Sequence, residues 1–252
     1  MSSIRIASAQ SISIPGDIAA NVLTHTQFIA AAHRAEVDLL VFPELSLSGY
    51  ELPLLQECLV HPNDSRLAAI RDMVSETKMT VVVGAPVAFG TGVTPAIGAM
   101  TFFPDGRHSV YFKQYLHSGE EKFAEKGDVA SHTDELLGES FSLAICADTT
   151  HETHAASAAM AGASLYLAGV LVSEAGYATD TAKMQHYASS LNLGVLMSNH
   201  GGPSGGYRSA GKSAFWAPGG KLVVQAPGTG NVLVVTANHS GKWDGEVIAI
   251  SN

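Results

Sequence analysis

The spacing of apolar positions changes several times along the chain, and each change predicts an element. Residues 4–10, IRIASAQ, alternate as a strand does. Asp17 then opens a segment to residue 35 whose apolar positions return at helical spacing, the pattern of an N-capped amphipathic helix. The next strand is expected at VDLLVFPE, residues 37–44, and its continuous apolar run predicts burial on both faces. A helix over 64–78 leads to the strand TVVVGAPV, giving a second β-α-β crossover. From Ala96 the texture changes: AIGAMTFFPDGRHSVYFK predicts two strands joined at Pro-Asp-Gly. SFSLAICAD predicts another strand, followed by an Ala-rich helix over 151–162, the strand SLYLAGVL, a helix over 181–191 and the strand GVLMSN. The stretch AFWAPGGKLVVQAPGTGNVLVVTAN returns to strands and Gly-rich turns. Crossovers, hairpins, crossovers and hairpins again predict a mixed sheet or a pair of sheets covered by helices, in a single α/β domain over 1–252.

Composition narrows the partners. With 252 residues, 46% of them hydrophobic, one domain can bury a sizeable core. A net charge of -9 with only 14 Lys and Arg argues against nucleic acid or an anionic membrane as partner, since both require clustered positive charge. No basic-then-apolar segment opens the chain and no apolar run reaches bilayer length, so a soluble, cytoplasmic protein is expected. The cysteines, Cys58 and Cys146, are too few for a disulfide framework and read as reduced thiols.

Polar residues just past apolar strands are the natural candidates for chemistry in α/β sheets. Glu44 ends LLVFPE, Lys113 ends SVYFK and Cys146 ends FSLAIC. Each alone has a dull alternative, as a cap, a solvated cation or a small buried hydrophobe. Together they make a kit for amide hydrolysis. A cysteine attacks as thiolate and needs a base. A carboxylate can take the thiol proton and hand it to a departing amine. A cation favours both the thiolate and the oxyanion formed on attack.

Three other patterns invite different chemistry. GYRSAGKS, residues 206–213, matches the phosphate-loop pattern, which requires a helix to begin at Lys-Ser. Phe215 and Trp216 favour a strand there instead, and Pro218, Gly219 and Gly220 would end any helix. GPSGG, residues 202–206, fits a serine-hydrolase elbow but offers no following helix. HETH, residues 151–154, spaces its histidines three apart, whereas the zinc motif places them four apart.

VFPELSLSGY, YFKQYLHSGEEKF, LAICAD and GKSAFWAPGG, in that order and at these separations, resemble the four signature blocks of the nitrilase (carbon-nitrogen hydrolase) superfamily. The resemblance covers essentially the whole chain. It implies a four-layer α-β-β-α sandwich and a Glu-Lys-Cys triad falling on Glu44, Lys113 and Cys146, with no metal or organic cofactor. It further implies a second glutamate shortly after the lysine. Gapless alignment through Gly127-Asp128 selects Glu120, and a one-residue slip selects Glu121. The backbone N–H of Ala147 is the implied oxyanion donor, and a homodimer or higher homo-oligomer is the implied assembly. The late block matches at Gly211, Ser213, Pro218 and Gly220, which makes GYRSAGKS a structural loop.

Cys146-Ala147-Asp148 resembles the amidase-like branches rather than the Cys-Trp-Glu of true nitrilases. The chain departs from the family at TTHETH, where an aromatic-Pro-Glu commonly follows, so the pocket wall beyond the nucleophile cannot be borrowed from a known branch. No Arg lies between Cys146 and Ser198, which argues against a carboxylated substrate unless Arg66, Arg208 or a neighbouring subunit supplies the fork. The expected activity is hydrolysis of a small amide or carbamoyl compound. The rivals are nitrile hydrolysis or acyl transfer at the same trio, and a non-catalytic small-molecule binder.

Overall fold

A computed structural model describes residues 4–88, 94–128 and 133–250. Along the chain run β1 (Ile4–Gln10), α1 (Ile18–Arg34), β2 (Leu39–Val41), α2 (Ala68–Thr77), β3 (Thr80–Ala88), β4 (Pro95–Phe102) and β5 (His108–Phe112). There follow β6 (Thr133–Leu136), β7 (Glu139–Ile145), α3 (Glu152–Met160), β8 (Leu165–Val170), α4 (Tyr177–Ser190) and β9 (Gly194–Asn199). The chain closes with β10 (Ala214–Trp216), β11 (Leu222–Gln225), β12 (Val232–His239) and β13 (Lys242–Ala249).

The strands form a seven-stranded sheet, ordered β13-β12-β1-β2-β3-β4-β5, and a six-stranded sheet, ordered β11-β10-β9-β8-β7-β6. Each has a parallel centre, β1-β2-β3 in one and β7-β8-β9 in the other, because those strands are joined by helical crossovers. Hairpins add antiparallel strands outside these centres. Strand alternation sorts the residues. Ile6, Val41, Val82 and Ile97 join Leu143, Ile145 and Leu167 in one apolar cluster, while Leu40, Val81 and Val83 join Phe28, Ile29, Ile70 and Val74 of α1 and α2 in another. Met184, Tyr187 and Ala188 of α4 and Ala155 and Ala158 of α3 pack onto the six-stranded sheet's side of the first cluster. The layers are therefore α-β-β-α, as expected.

Local signals acted as their chemistry dictates. The Asp17 side chain accepts the Ala20 N–H (3.0 Å) and starts α1. Pro104-Asp105-Gly106 closes the β4–β5 hairpin, with Gly106 N donating to Phe103 O (3.0 Å). The expected strand over 37–44 shortens to Leu39–Val41, since Pro43 has no N–H to continue a ladder. Helix α4 starts at Tyr177 rather than 181, behind a turn in which Gly176 N donates to Ser173 Oγ (3.2 Å). Strands β6 and β13 were not expected. In β13 only Trp243 and Ile248 are half-buried, so no alternation marks it.

Candidate active site

Glu44 sits just past β2, where the chain must leave the sheet. Two glycines clamp this turn: a Cβ on Gly84 would lie 2.2 Å from Pro43 O, and one on Gly169 would lie 2.8 Å from Phe42 O. Both sheets therefore press backbone against the segment carrying Glu44. His200 adds a third hold, its Nε2–H donating to the Glu44 carbonyl (2.7 Å). Burial lowers the His200 pKa to about 4, so the ring is neutral and the Nε2–H tautomer is the one this contact requires.

Lys113 follows β5, its N–H donating to Ile97 O (2.9 Å) and its carbonyl accepting from Gly127 N (2.7 Å). Its side chain is fully buried, with Nζ 2.6 Å from Glu44 Oε1 and 2.7 Å from Glu120 Oε1. Glu120 is itself held by donors: Tyr50 OH to Oε1 (2.5 Å) and His117 N to Oε2 (2.7 Å). Glu121, the alternative second glutamate, does not join this cluster. It is exposed and accepts the Gly119 N–H (2.6 Å), because Gly119, at φ +101, turns the chain so that Glu120 faces inward.

Cys146 follows β7 and opens a short 3₁₀ turn, Cys146–Thr150, at the strained angle φ +42. Ala147, second in that turn, is buried, and at this position a 3₁₀ helix has no internal acceptor for the N–H. Asp148 fixes the turn to the lysine loop. Its Oδ1 accepts from Gln114 N (3.1 Å) and Tyr115 N (2.9 Å), and its Oδ2 from Ile145 N (2.9 Å) and Tyr111 OH (2.7 Å). Tyr111 OH in turn contacts His154 Nε2 (2.8 Å), whose Nδ1 meets Tyr166 OH (2.8 Å). The second histidine of HETH thus belongs to this brace, while His151 stacks on Tyr115 with ring centroids 3.7 Å apart.

Two carboxylates share one ammonium in a site without water-like screening, and the proton affinities follow. Burial and the neighbouring Glu120 charge push Glu44 up to about 7 against the pull of Lys113. The Cys146 thiol is near enough to favour the ionised carboxylate. Glu44 Oε2 is buried and has no hydrogen-bond partner among the described residues. Burial alone would lower Lys113, but Glu44, Cys146 and Glu120 outweigh it and raise the ammonium above its ordinary value. Burial, reinforced by Glu44, raises the Cys146 thiol well above its ordinary value despite Lys113. The resting arrangement is a neutral thiol beside a carboxylate that gains and loses its proton near neutrality.

A cavity of about 210 Å³ opens onto this chemistry, walled by Glu44, Cys146, Tyr50, His117, Leu171 and Tyr207 among others. A larger surface groove of about 760 Å³ lies between α1 and β13, lined by Arg5, Arg34 and Glu246. It holds none of the trio, so chemistry rather than size locates the site. Arg66 is tied to Asp64 (2.7 Å), and neither it nor Arg208 lines the cavity beside Cys146. The other patterns take structural parts. GYRSAGKS runs into β10, not a helix, and its Ser213 binds Asn199 N through Oγ (3.0 Å) and Gln10 Oε1 through N–H (2.9 Å). In GPSGG, Ser204 Oγ accepts the Tyr50 N–H (2.8 Å).

Tyr50, Asp148 and His200 were not singled out from sequence as site residues. Tyr50 closes the block that begins with VFPE, and Asp148 stands in the cysteine block, so their proximity to the trio was the available signal.

An α-β-β-α sandwich presenting a buried Glu-Lys-Glu cluster beside a cysteine on a strained turn has the architecture of a cysteine-dependent hydrolase. The carbon-nitrogen hydrolase family profile matches residues 5–240. The chain belongs to that family. Among solved structures it resembles a cysteine-to-serine variant of the Nesterenkonia AN1 amidase from the nitrilase superfamily, with a TM-score of 0.83, 23% identity, and coverage of 92% of this chain and 90% of that one. A cysteine-to-alanine variant of the amidase from Nesterenkonia sp. AN1 in complex with butyramide gives 0.82 at 23%, covering 92% and 89%. A double variant in complex with acrylamide gives 0.84 at 22%, covering 94% and 91%. Among the described residues, no helix is long and apolar enough to cross a membrane.

Proposed function

We propose that the protein hydrolyses a small non-peptide amide or carbamoyl compound through a thioester on Cys146. The observation that carries this reading is Lys113 Nζ held between Glu44 and Glu120, with Glu44 lining the cavity that Cys146 also lines. In the first step the thiol proton passes to Glu44 Oε2, the oxygen left unpaired, as Sγ attacks the carbonyl carbon. An ammonium has three donors and Lys113 uses two on the carboxylates, which leaves the third, with the Ala147 N–H, for the oxyanion. Collapse breaks the carbon-nitrogen bond, and Glu44 gives its proton to the leaving ammonia or amine. Glu44 then takes a proton from water, whose oxygen attacks the thioester, and returns that proton to the sulfur as the acid departs. Glu120 is the positioning residue that aims Lys113.

The solved amidase supports a nucleophilic Cys146 by analogy, since in its glutamate-to-glutamine variant the active-site cysteine takes a Michael addition of acrylamide and the acetamide moiety of fluoroacetamide. The test is ammonia release from a panel of short amides, carbamoyl compounds and nitriles, run beside Cys146→Ala. Amide or carbamoyl turnover lost in the variant is expected. Turnover of nitriles alone, or turnover that survives the substitution, would overturn the assignment.

A further inference from the structure

The wall of the cavity contributed by the start of α4 carries a feature that general acyl chemistry does not need. Asp180, in the first turn of α4, is half-buried and lines the same cavity as Cys146. Its carboxylate makes no hydrogen bond or ion pair with any described residue, and Lys183 and His117 influence it only at longer range. Gly176, also on the wall, has φ -84, an angle open to every residue. Yet a Cβ there would come within 3.0 Å of Asp180 Oδ2 and 3.6 Å of Ser173 Oγ, so a side chain would crowd both oxygens, of which Ser173 Oγ already accepts the Gly176 N–H (3.2 Å).

Charge on the rest of the wall points the same way. Lys113 is committed to two carboxylates, and among the described residues no Lys or Arg lines the cavity. A substrate carboxylate would therefore face Glu44 and Asp180 with no Lys or Arg on the wall to receive it, and an alkyl tail would gain nothing from Asp180. A protonated amine would gain a charge-assisted hydrogen bond to Asp180 and an acceptor in Ser173 Oγ. Burial raises the pKa of Asp180, the sign of a carboxylate whose ionised form lacks a close counter-ion. The volume, about 210 Å³, or roughly seven waters at ~30 Å³ each, limits the substrate to a short chain.

We infer that the site selects short amides bearing a protonated amine, with Asp180 as the specificity-determining residue that receives the ammonium. This rests on the hydrolase reading for its chemistry, but the charge selection can be read independently of turnover. The test compares 4-aminobutanamide with pentanamide, which replaces ammonium by methyl, and with the anionic half-amide of succinic acid. Two measurements are made: kcat/KM from ammonia release by the wild type, and calorimetric Kd on Cys146→Ala. The expected result is a preference of roughly tenfold or more for the ammonium over the methyl compound, with the anion poorest. That ratio should collapse towards one in Asp180→Asn and shrink in Gly176→Ala. A wild-type ratio at or below one, or a ratio untouched by Asp180→Asn, overturns the inference while leaving amide hydrolysis standing. Preferential binding of the ammonium compound to Cys146→Ala, lost on adding Asp180→Asn, with no wild-type turnover of any amide, supports the charge selection and removes the hydrolase reading. Absence of both preference and turnover removes both.

Discussion

Glu120→Gln tests the electrostatic design of the site with almost no change in shape. Three donors converge on Glu120: Lys113 Nζ at 2.7 Å, Tyr50 OH at 2.5 Å and His117 N at 2.7 Å. A carboxylate can accept all three, whereas a carboxamide has one acceptor oxygen and a donating NH₂. If the amide oxygen keeps Lys113 and Tyr50, the NH₂ confronts His117 N–H, and flipping the amide moves the conflict to Lys113 and obliges Tyr50 OH to turn and accept from the NH₂. One buried donor is left unpaired either way, at about 1–3 kcal/mol. Expressed in Lys113 positioning, that corresponds to a fall in kcat/KM of roughly 10–100-fold. The pH profile reports a second, independent effect. Glu44 must be ionised to act as base, so activity rises with pH through its pKa, which stands at about 7 partly because Glu120 raises it. Removing that negative charge lowers the Glu44 pKa, and the acid limb moves to lower pH. Steady-state kinetics from pH 5 to 9 reads both quantities, and Glu120→Asp, which keeps the charge, should lower kcat with a smaller displacement of the limb. An acid limb that stays in place or moves upward in Glu120→Gln, with kcat/KM unchanged, would refute the reasoning.

Other substitutions probe neighbouring parts of the argument. Cys146→Ala should cost at least ~10³-fold in turnover with little change in melting temperature, since only a thiol is removed. Lys113→Met should abolish turnover and also destabilise by about 3–5 kcal/mol, because two buried carboxylates lose their shared cation; denaturant titration measures this. Asp148→Asn presents an NH₂ to two of the four donors and should cost about 1–3 kcal/mol of stability while lowering kcat more than it raises KM. Gly84→Ala should lower both melting temperature and kcat through its clash with Pro43, whereas Gly228→Ala, where a Cβ meets nothing within 4 Å, should do neither.

The trio was legible because each member ends an apolar strand, and strand ends of the two sheets are where this architecture gathers polar groups. The choice between Glu120 and Glu121 was not. Adjacent residues on a 3₁₀ turn point in different directions, and the turn's rotation depends on Gly119 and on His117 N–H, neither of which has a periodic signature. Asp148 was visible only as a branch marker, since its role depends on Gln114 and Tyr115 arriving from another strand's end. Asp180 was hidden for a similar reason: the spacing over 177–180 carries no apolar stripe, so the helix start that aims it at the cavity was missed. The hairpins closing β6 and β13 turn on Leu137-Gly138 and Ser240-Gly241, each with both residues at positive φ. The strands they attach are half-buried or exposed, which erased the alternation that marked the central strands.

The most direct measurement is intact-mass spectrometry of the protein quenched in acid during turnover of a short amide, followed by peptide mapping. The account predicts a mass increase equal to the acyl group, located on Cys146, absent from Cys146→Ala and reversed as the amide is exhausted. Turnover with no acyl adduct in the wild type, or an adduct on Cys58 or any other residue, would contradict it.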